Sequence, residues 1–401
     1  MSSPDVFIVG ASRTPIGRYG GALRDVHPAE LGAVAARAAL ARASLPAGTV
    51  DEVVFGHARQ AGSGPNPARQ VGRRAGLGDE VPARTINKAC ASGMEAVADA
   101  ARTILLGEAA IVLAGGMESM SRMPYLLDAA DARWGHRMGH LPLVDAMYRD
   151  GFDCPLAGLM MGETAEVLAR EHEISREASD AYAVESQRKT ACAIRDGAFA
   201  DELAPIEVIA DKDTLTLTAD EHPRPGTSLD QLARLPPVFT LDGTPGIVTA
   251  GSASGVTDGG AALLLAGAAA VRERGLRPLA RILGWASAGV DPRRMGIGPV
   301  PAVERLLARL SLDLSAFDLV ELNEAFAPQV LAVLRDLPID RARLNVHGGA
   351  IALGHPIGCT GARILVTLLY ALRRHGGRRG LATLCVSGGM GMAMAIEVER
   401  S

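Results

Sequence analysis

The chain has 401 residues, 48% of them hydrophobic and only 3% aromatic, with 41 basic against 45 acidic side chains and a formal net charge of -4. That length gives a prior of roughly two to three domains with sizeable cores. The slightly acidic balance argues against a nucleic-acid partner while leaving room for a local basic patch on a phosphate, and so few aromatics exclude base stacking or an aromatic cage as a theme.

In chain order, Val6 to Val9 reads as a short buried strand, Ser12 to Gly17 as a loop, and about Ala29 to Ala43 as an alanine-rich helix. Val53 to Phe55 gives a second strand ending at Gly56. The loop from Ala61 to Pro67 shares its glycines with phosphate loops but lacks the Gly-Lys-Ser/Thr ending. Arg84 to Lys88 is extended and delivers Cys90. Ser92 and Glu95 then have capping-box spacing, and Met94, Val97, Ala101 and Ile104 form an apolar helical face that stops at Gly107. Cys90 is thereby expected just before a helix N-terminus, where the positive end of the macrodipole favours a thiolate. A buried strand from Ala110 to Ala114 runs into Gly115-Gly116-Met117.

From about Arg122 to Val248 the pattern breaks. Helices are expected over Gly162 to Glu171 and Arg176 to Asp196, the second opened by Ser175 and closed by Gly197. Seven of the thirteen methionines fall between Met117 and Met161, which suits either a pliable lining for an acyl or pantetheine chain or ordinary core filling. Pro223-Arg224-Pro225-Gly226 makes a stiff surface turn whose arginine either meets a phosphate or is simply solvated. Thr249 to Gly255 is small throughout and lets a ligand approach the backbone. It is not the G-x-S-x-G elbow of hydrolases, because Ala253 stands at the serine position.

The C-terminal part reads as a strand from Asp318 to Leu322, a glycine-rich loop carrying His355 and Cys359, a helix from about Ala362 to Arg374, a strand from Leu381 to Val386, and Gly388-Gly389-Met390. Asn345 to Gly361 holds five glycines in seventeen residues, too many for a helix or strand interior, so this backbone must turn tightly or approach something closely. Strand, reactive loop, helix, strand and Gly-Gly-Met thus occur in both halves. We read a duplicated α/β unit whose reactive loops face one shared site. A histidine on a stiff loop, with the thiols of Cys90 and Cys385 to meet it, points to nucleophilic cysteine chemistry.

The five cysteines form no C-x-x-C pair and have no histidines at zinc spacing, so no metal is expected and free thiols in a reducing compartment are. Cys154 and Cys192 read as small packed residues. Met-Ser-Ser-Pro-Asp has neither a basic nor an apolar leader region, Val-Glu-Arg-Ser is no peroxisomal signal, and the longest apolar run, Ala261 to Val271, is too short to cross a bilayer. A cytoplasmic protein without a membrane partner is expected.

Six ordered blocks resemble the thiolase family over nearly the whole chain: Asn-Lys-Ala-Cys-Ala-Ser-Gly-Met at Cys90, Gly115 to Ser121, Ala250 to Gly255, Asn-Glu-Ala-Phe-Ala from Asn323, Gly348 to Gly358 around His355, and Cys385 before Ser-Gly-Gly-Met-Gly. The resemblance implies a duplicated five-layered α-β-α-β-α fold, with residues 1–121 and 249–274 as one half, 122–248 as an inserted loop domain over coenzyme A, and 275–401 as the other half. It implies thiolysis of a 3-ketoacyl-CoA or the reverse condensation of two acetyl-CoA. CoA enters as substrate with no tightly bound cofactor, in a homodimer or homotetramer. Cys90 carries the acyl group, His355 takes its proton, and Cys385 serves as the second acid and base. Asn323 holds a water beside His355 at one oxyanion, and the amides of Cys90 and Ser387 serve the other. Met161, Ala250, Ser254, Gly255 and Phe326 are implied along the CoA tunnel, with Arg224 near its phosphates. His347 is expected to support the loop.

Two positions depart from the family pattern. Ser387 replaces a glycine common in short-chain members, and Met160 replaces a histidine of acetoacetyl-CoA-specific ones, which makes longer 3-ketoacyl substrates plausible. A β-ketoacyl synthase, with one cysteine and two histidines or a histidine and asparagine, and a non-catalytic acyl-CoA or sterol carrier are the competing readings. The pairing of Cys90 with Cys385 and the Asn-Glu-Ala-Phe block speak for thiolase.

Overall fold

The structure, a computed structural model, describes residues 5–210 and 213–399. Met1 to Pro4 and Arg400 with Ser401, on which the targeting expectation partly rests, lie outside the described residues.

The first half contains β1 (Val6–Arg13), α1 (Pro28–Arg42), β2 (Glu52–Gly56), α2 (Pro67–Arg74), β3 (Ala83–Ile86), α3 (Ser92–Leu105) and β4 (Ile111–Ser119). After helices α4 (Met161–Glu171) and α5 (Arg176–Arg195) it closes with β5 (Thr257–Gly267). The second half contains β6 (Ala280–Gly289), α6 (Pro299–Leu310), β7 (Leu319–Leu322), α7 (Ala327–Asp336), α8 (Ile357–His375), β8 (Arg379–Val386) and β9 (Met390–Val398). The strands lie in the order β3-β2-β4-β5-β1-β6-β9-β8-β7. Both halves use the same internal order, and they join where Phe7 and Ile8 of β1 pair antiparallel with Arg281 and Ala280 of β6. Helices α1 and α2 cover one outer face and α6 packs on β6 and β9 on the other, while α3 and α8 pack on each other between the two half-sheets. This is a mixed α/β fold of five layers.

The duplication is real but its register differs from the expected one. Asp318 to Leu322 was matched with the segment before Cys90, yet β7 pairs in parallel with β8 as β2 does with β4, so β7 corresponds to Glu52–Gly56. The counterpart of β3 has shrunk to one bridge between Val320 and Leu344. The two Gly-Gly-Met segments also differ. In the first half the glycines lie within β4, where a Cβ on Gly116 would collide with the Gly358 carbonyl. In the second, Gly388 and Gly389 have φ of 88° and 83° and turn β8 into β9.

Three local expectations are corrected. Ser12 and Arg13 continue β1, because β5 supplies partners as far as Ala261, and Gly17–Arg18 forms a short strand beside it. Ser92 and Glu95 make no capping box: Ser92 Oγ accepts from Lys88 N (2.9 Å) and donates to Ala89 O (2.6 Å), while Glu95 pairs with Lys88 and Arg102. The helix expected from Ala362 begins at Ile357, so Cys359, Gly358 and Gly361 are helical. Glycine is tolerated there because α8 and its neighbours approach too closely at these positions for a side chain. A Cβ on Gly361 would collide with Met94 N, and one on Gly93 would lie 2.7 Å from Ala362 N.

The inserted helices behave as read. Ser175 Oγ accepts from Ala178 N at 3.1 Å, and Gly197 takes φ of 65° beyond the end of α5. Both helices pack on α7, and α5 also packs on the single turn Ala350–Leu353. Among the described residues no helix is long and apolar enough to cross a membrane.

The glycine contact yields a stability prediction. Gly361→Ala should destabilise the fold by about 1–3 kcal/mol through overpacking, read as a lower urea midpoint. An unchanged midpoint would show that α3 and α8 can move apart.

Candidate active site

Cys90 leaves an extended segment through Ala89, a non-glycine residue held at φ of 44°. Such a left-handed residue costs roughly 1–3 kcal/mol and persists only when its surroundings hold it. Here Ser92 Oγ spans Lys88 N and Ala89 O, and Asn87 Oδ1 accepts from Ala89 N at 3.0 Å. The turn sets Cys90 immediately ahead of α3.

The expected thiolate is not what this position favours in the unliganded protein. Burial pushes the Cys90 thiol above its ordinary range; the Ser387 N–H aimed at the sulfur, the Arg59 charge and the residue's own N–H only partly oppose it. Desolvation of an anion at this buried position outweighs the helix dipole.

His355 follows Gly354, whose φ of 100° requires glycine, and its N–H donates to Gly255 O at 3.1 Å. Its Nδ1 lies 2.6 Å from Thr360 Oγ1. That hydroxyl also lies 3.0 Å from Pro356 O; with its proton donated there it accepts from Nδ1–H and leaves Nε2 with a free lone pair. Burial, then the charges of Arg363 and Arg59, lower the His355 pKa to about 3. The ring is therefore neutral in the resting protein.

Cys385, the residue before the last of β8, is buried, and burial with the nearby Cys90 sulfur pushes its thiol far upward. Ser387 opens the turn that follows. Asn323 leaves β7 with its N–H on Thr383 O at 3.0 Å; its side-chain Oδ1 and Nδ2 are buried and have no partner among the described residues.

One cavity is walled by Cys90, His355, Cys385 and Ser387 together with Met161, Ser254, Gly255 and Phe326. Asn323 is not among the residues that line it. Arg224 and Ala250 are exposed and do not line the cavity; the Arg224 N–H is held by Gln187 Oε1 at 2.8 Å. The methionine reading divides: Met120, Met160 and Met161 line the cavity, Met117 and Met147 fill cores, and Met138 is exposed. Cys359 faces the interior of the middle layer, its thiol raised to about 12 by burial. His347 stands 3.2 Å from His375, and its carbonyl accepts from Thr190, tying the glycine segment to α5.

Several supporting residues escaped sequence reading. Glu118 accepts from Ala58 N, Arg59 N, Gly358 N (2.8 Å) and His57 Nε2 (3.0 Å), binding β4 to the start of α8. Glu324 accepts from Tyr182, Ser186, Asn345 and Ile351 N, fixing Asn323 on one side and the glycine segment on the other. His222 bonds Ala352 O at 2.8 Å and packs on Gly255. Glu118 and Glu324 lie inside recognised blocks, which was the available signal; Arg59, Thr360 and His222 gave none beyond proximity to them.

Models of known families match the chain as "Thiolase, N-terminal domain" over residues 6–269 and "Thiolase, C-terminal domain" over 276–398. An acetyl-CoA acetyltransferase of Pseudomonas aeruginosa is 50% identical over 98% of this chain and 99% of its own length. Human mitochondrial 3-ketoacyl-CoA thiolase superposes with a TM-score of 0.95 at 45% identity, covering 100% of both chains. The same human enzyme in complex with CoA gives a TM-score of 0.94 at 45% identity, covering 99% of this chain and 98% of that one.

The electrostatics predict that alkylation of Cys90 by iodoacetamide in the free protein keeps accelerating through pH 9, because its thiol is raised. A rate that levels off below pH 7 would instead reveal a standing thiolate–imidazolium pair.

Proposed function

The chain belongs to the thiolase family, and on that premise we infer that it is an acyl-CoA C-acyltransferase, cleaving a 3-ketoacyl-CoA with CoA or condensing two acetyl-CoA in reverse. The observation that carries this reading is the meeting of Cys90, His355 and Cys385 in one cavity, although they come from opposite halves of the sequence.

In thiolysis His355 Nε2 takes the proton from Cys90 as the sulfur attacks the 3-keto carbonyl. A raised thiol and a depressed imidazole make prior proton transfer steeply uphill, so transfer and attack are coupled. The tetrahedral oxyanion is received by the N–H groups of Cys90 and Ser387. As the C–C bond breaks, the electron pair goes to the departing acetyl-CoA as an enolate, met by His355 and by a water held on the unpartnered Asn323 amide. Cys385 protonates that carbanion, and in condensation it removes the α-proton. One thiol cannot do both tasks, since Cys90 is acylated when the other is needed.

CoA serves as substrate rather than as a resident cofactor. Its pantetheine arm runs along Met161, Ser254, Gly255 and Phe326, with Ala250 and Arg224 outside the cavity near the nucleotide end. Residues 122–248, inserted in the first half, act as the domain that covers CoA. Met160, Phe152 and Phe239 give the cavity an apolar wall without the histidine of acetoacetyl-specific members, which supports acyl chains longer than acetoacetyl. A cytoplasmic homodimer or homotetramer working in fatty-acid β-oxidation completes the reading.

Mixing the protein with acetyl-CoA should leave one acetyl group, located by mass spectrometry on the Cys90 peptide. No adduct would favour a carrier. Asn323→Ala should lower thiolysis turnover a hundredfold or more, about 3–4 kcal/mol for one oxyanion donor; near-normal turnover would remove Asn323 from the mechanism.

A further inference from the structure

Resting on the thiolysis reading above, we propose that Arg59 makes this cavity a site for 3-ketoacyl-CoA thioesters whose acyl chain ends in a carboxylate. Arg59 walls the same cavity as Cys90 and His355, and only 8% of its surface is exposed. Its Nη2 donates to Gly151 O at 2.8 Å, an uncharged acceptor, whereas its Nε is buried without a hydrogen-bond partner among the described residues. No described carboxylate forms an ion pair with it. Glu118, which accepts from the Arg59 backbone N–H, is already engaged by three backbone N–H groups and His57.

A buried guanidinium without a counter-ion is unfavourable unless a partner anion arrives to share the site. The geometry is suited to receive one. Gly151 packs so closely that a Cβ there would lie 3.2 Å from Arg59 Nε, which holds the planar group in place. Nε is closed off, so the hydrogens left to offer are those of Nη1, which has no hydrogen-bond partner among the described residues, and a carboxylate takes such guanidinium hydrogens in charge-assisted bonds. Beside it Met120, Phe152 and Met160 make an apolar wall, with the half-exposed Tyr148 phenol at its edge. Beyond Arg59 an outer cleft carries Asp150 and Asp153 beside Arg149, so an anionic tail is discouraged from passing outward and stops at the guanidinium. The CoA phosphates are not the partner, because the pantetheine arm separates them from the thioester.

The test compares kcat/KM for thiolysis of a matched pair, 3-ketohexanoyl-CoA and the mono-CoA thioester of the six-carbon 3-keto dicarboxylic acid, with wild type, Arg59→Met and Arg59→Lys. Wild type should favour the acid tenfold or more. Arg59→Met should lower the acid's value at least tenfold further than the neutral thioester's, and Arg59→Lys should fall between. Equal use of the pair by wild type overturns the proposal. So does a parallel loss on both thioesters in Arg59→Met, which would assign the cation to the Cys90 sulfur instead. If Arg59→Met does not fold, the wild-type ratio and Arg59→Lys decide. Cleavage of acetoacetyl-CoA without preference for the acid defeats this inference alone, whereas no cleavage of any thioester defeats the thiolysis reading beneath it.

Discussion

Two helices meet through glycine at the centre of the molecule, and the site depends on that contact. Gly93 of α3 and Gly361 of α8 let backbone lie against backbone, with Gly116 of β4 admitting the Gly358 carbonyl beside them. Because α3 starts just after Cys90 and α8 just after His355, the separation of thiol and imidazole is set by the packing of two buried rods. Loops alone would hold reacting groups less closely. Glu118 fastens the arrangement by accepting N–H groups from both sides of the contact.

The second constraint is dryness. The cavity is largely apolar, with a few polar groups aimed into it, so every ionised state is costly until the reaction supplies compensating charge. The resting protein accordingly keeps a neutral thiol and a neutral imidazole. In the proposed reaction, charge appears only where amides, an asparagine and a histidine are already pointed, so little reorganisation is needed as it develops.

Much of this was legible in the sequence because its blocks carry local physics. Apolar runs marked β2, β4, β7 and β8, the Ser175 cap and Gly197 bounded α5, and the reactive residues sat in glycine-rich segments with a family resemblance. What failed were inferences in which tertiary contact overrides local preference. Glycines at 358 and 361 read as loop because isolated helices disfavour them, yet here they permit the helix crossing. Ser92 and Glu95 had capping spacing, but Lys88, Ala89 and Arg102 claimed their side chains. The helix dipole argued for a Cys90 thiolate, and burial outweighed it. Arg59 and Thr360 follow no motif, since their roles come from what stands next to them in space.

The central claim is a division of labour between two sulfurs that line one cavity, and isotope exchange tests it most directly. Incubated with acetyl-CoA in deuterium oxide, wild type should acetylate Cys90 and also exchange deuterium into the acetyl methyl group of free acetyl-CoA. Cys385→Ala should still acetylate Cys90 but lose the exchange. Exchange at the wild-type rate in that variant, or loss of acetylation and exchange together, would contradict the assignment of separate tasks to the two thiols.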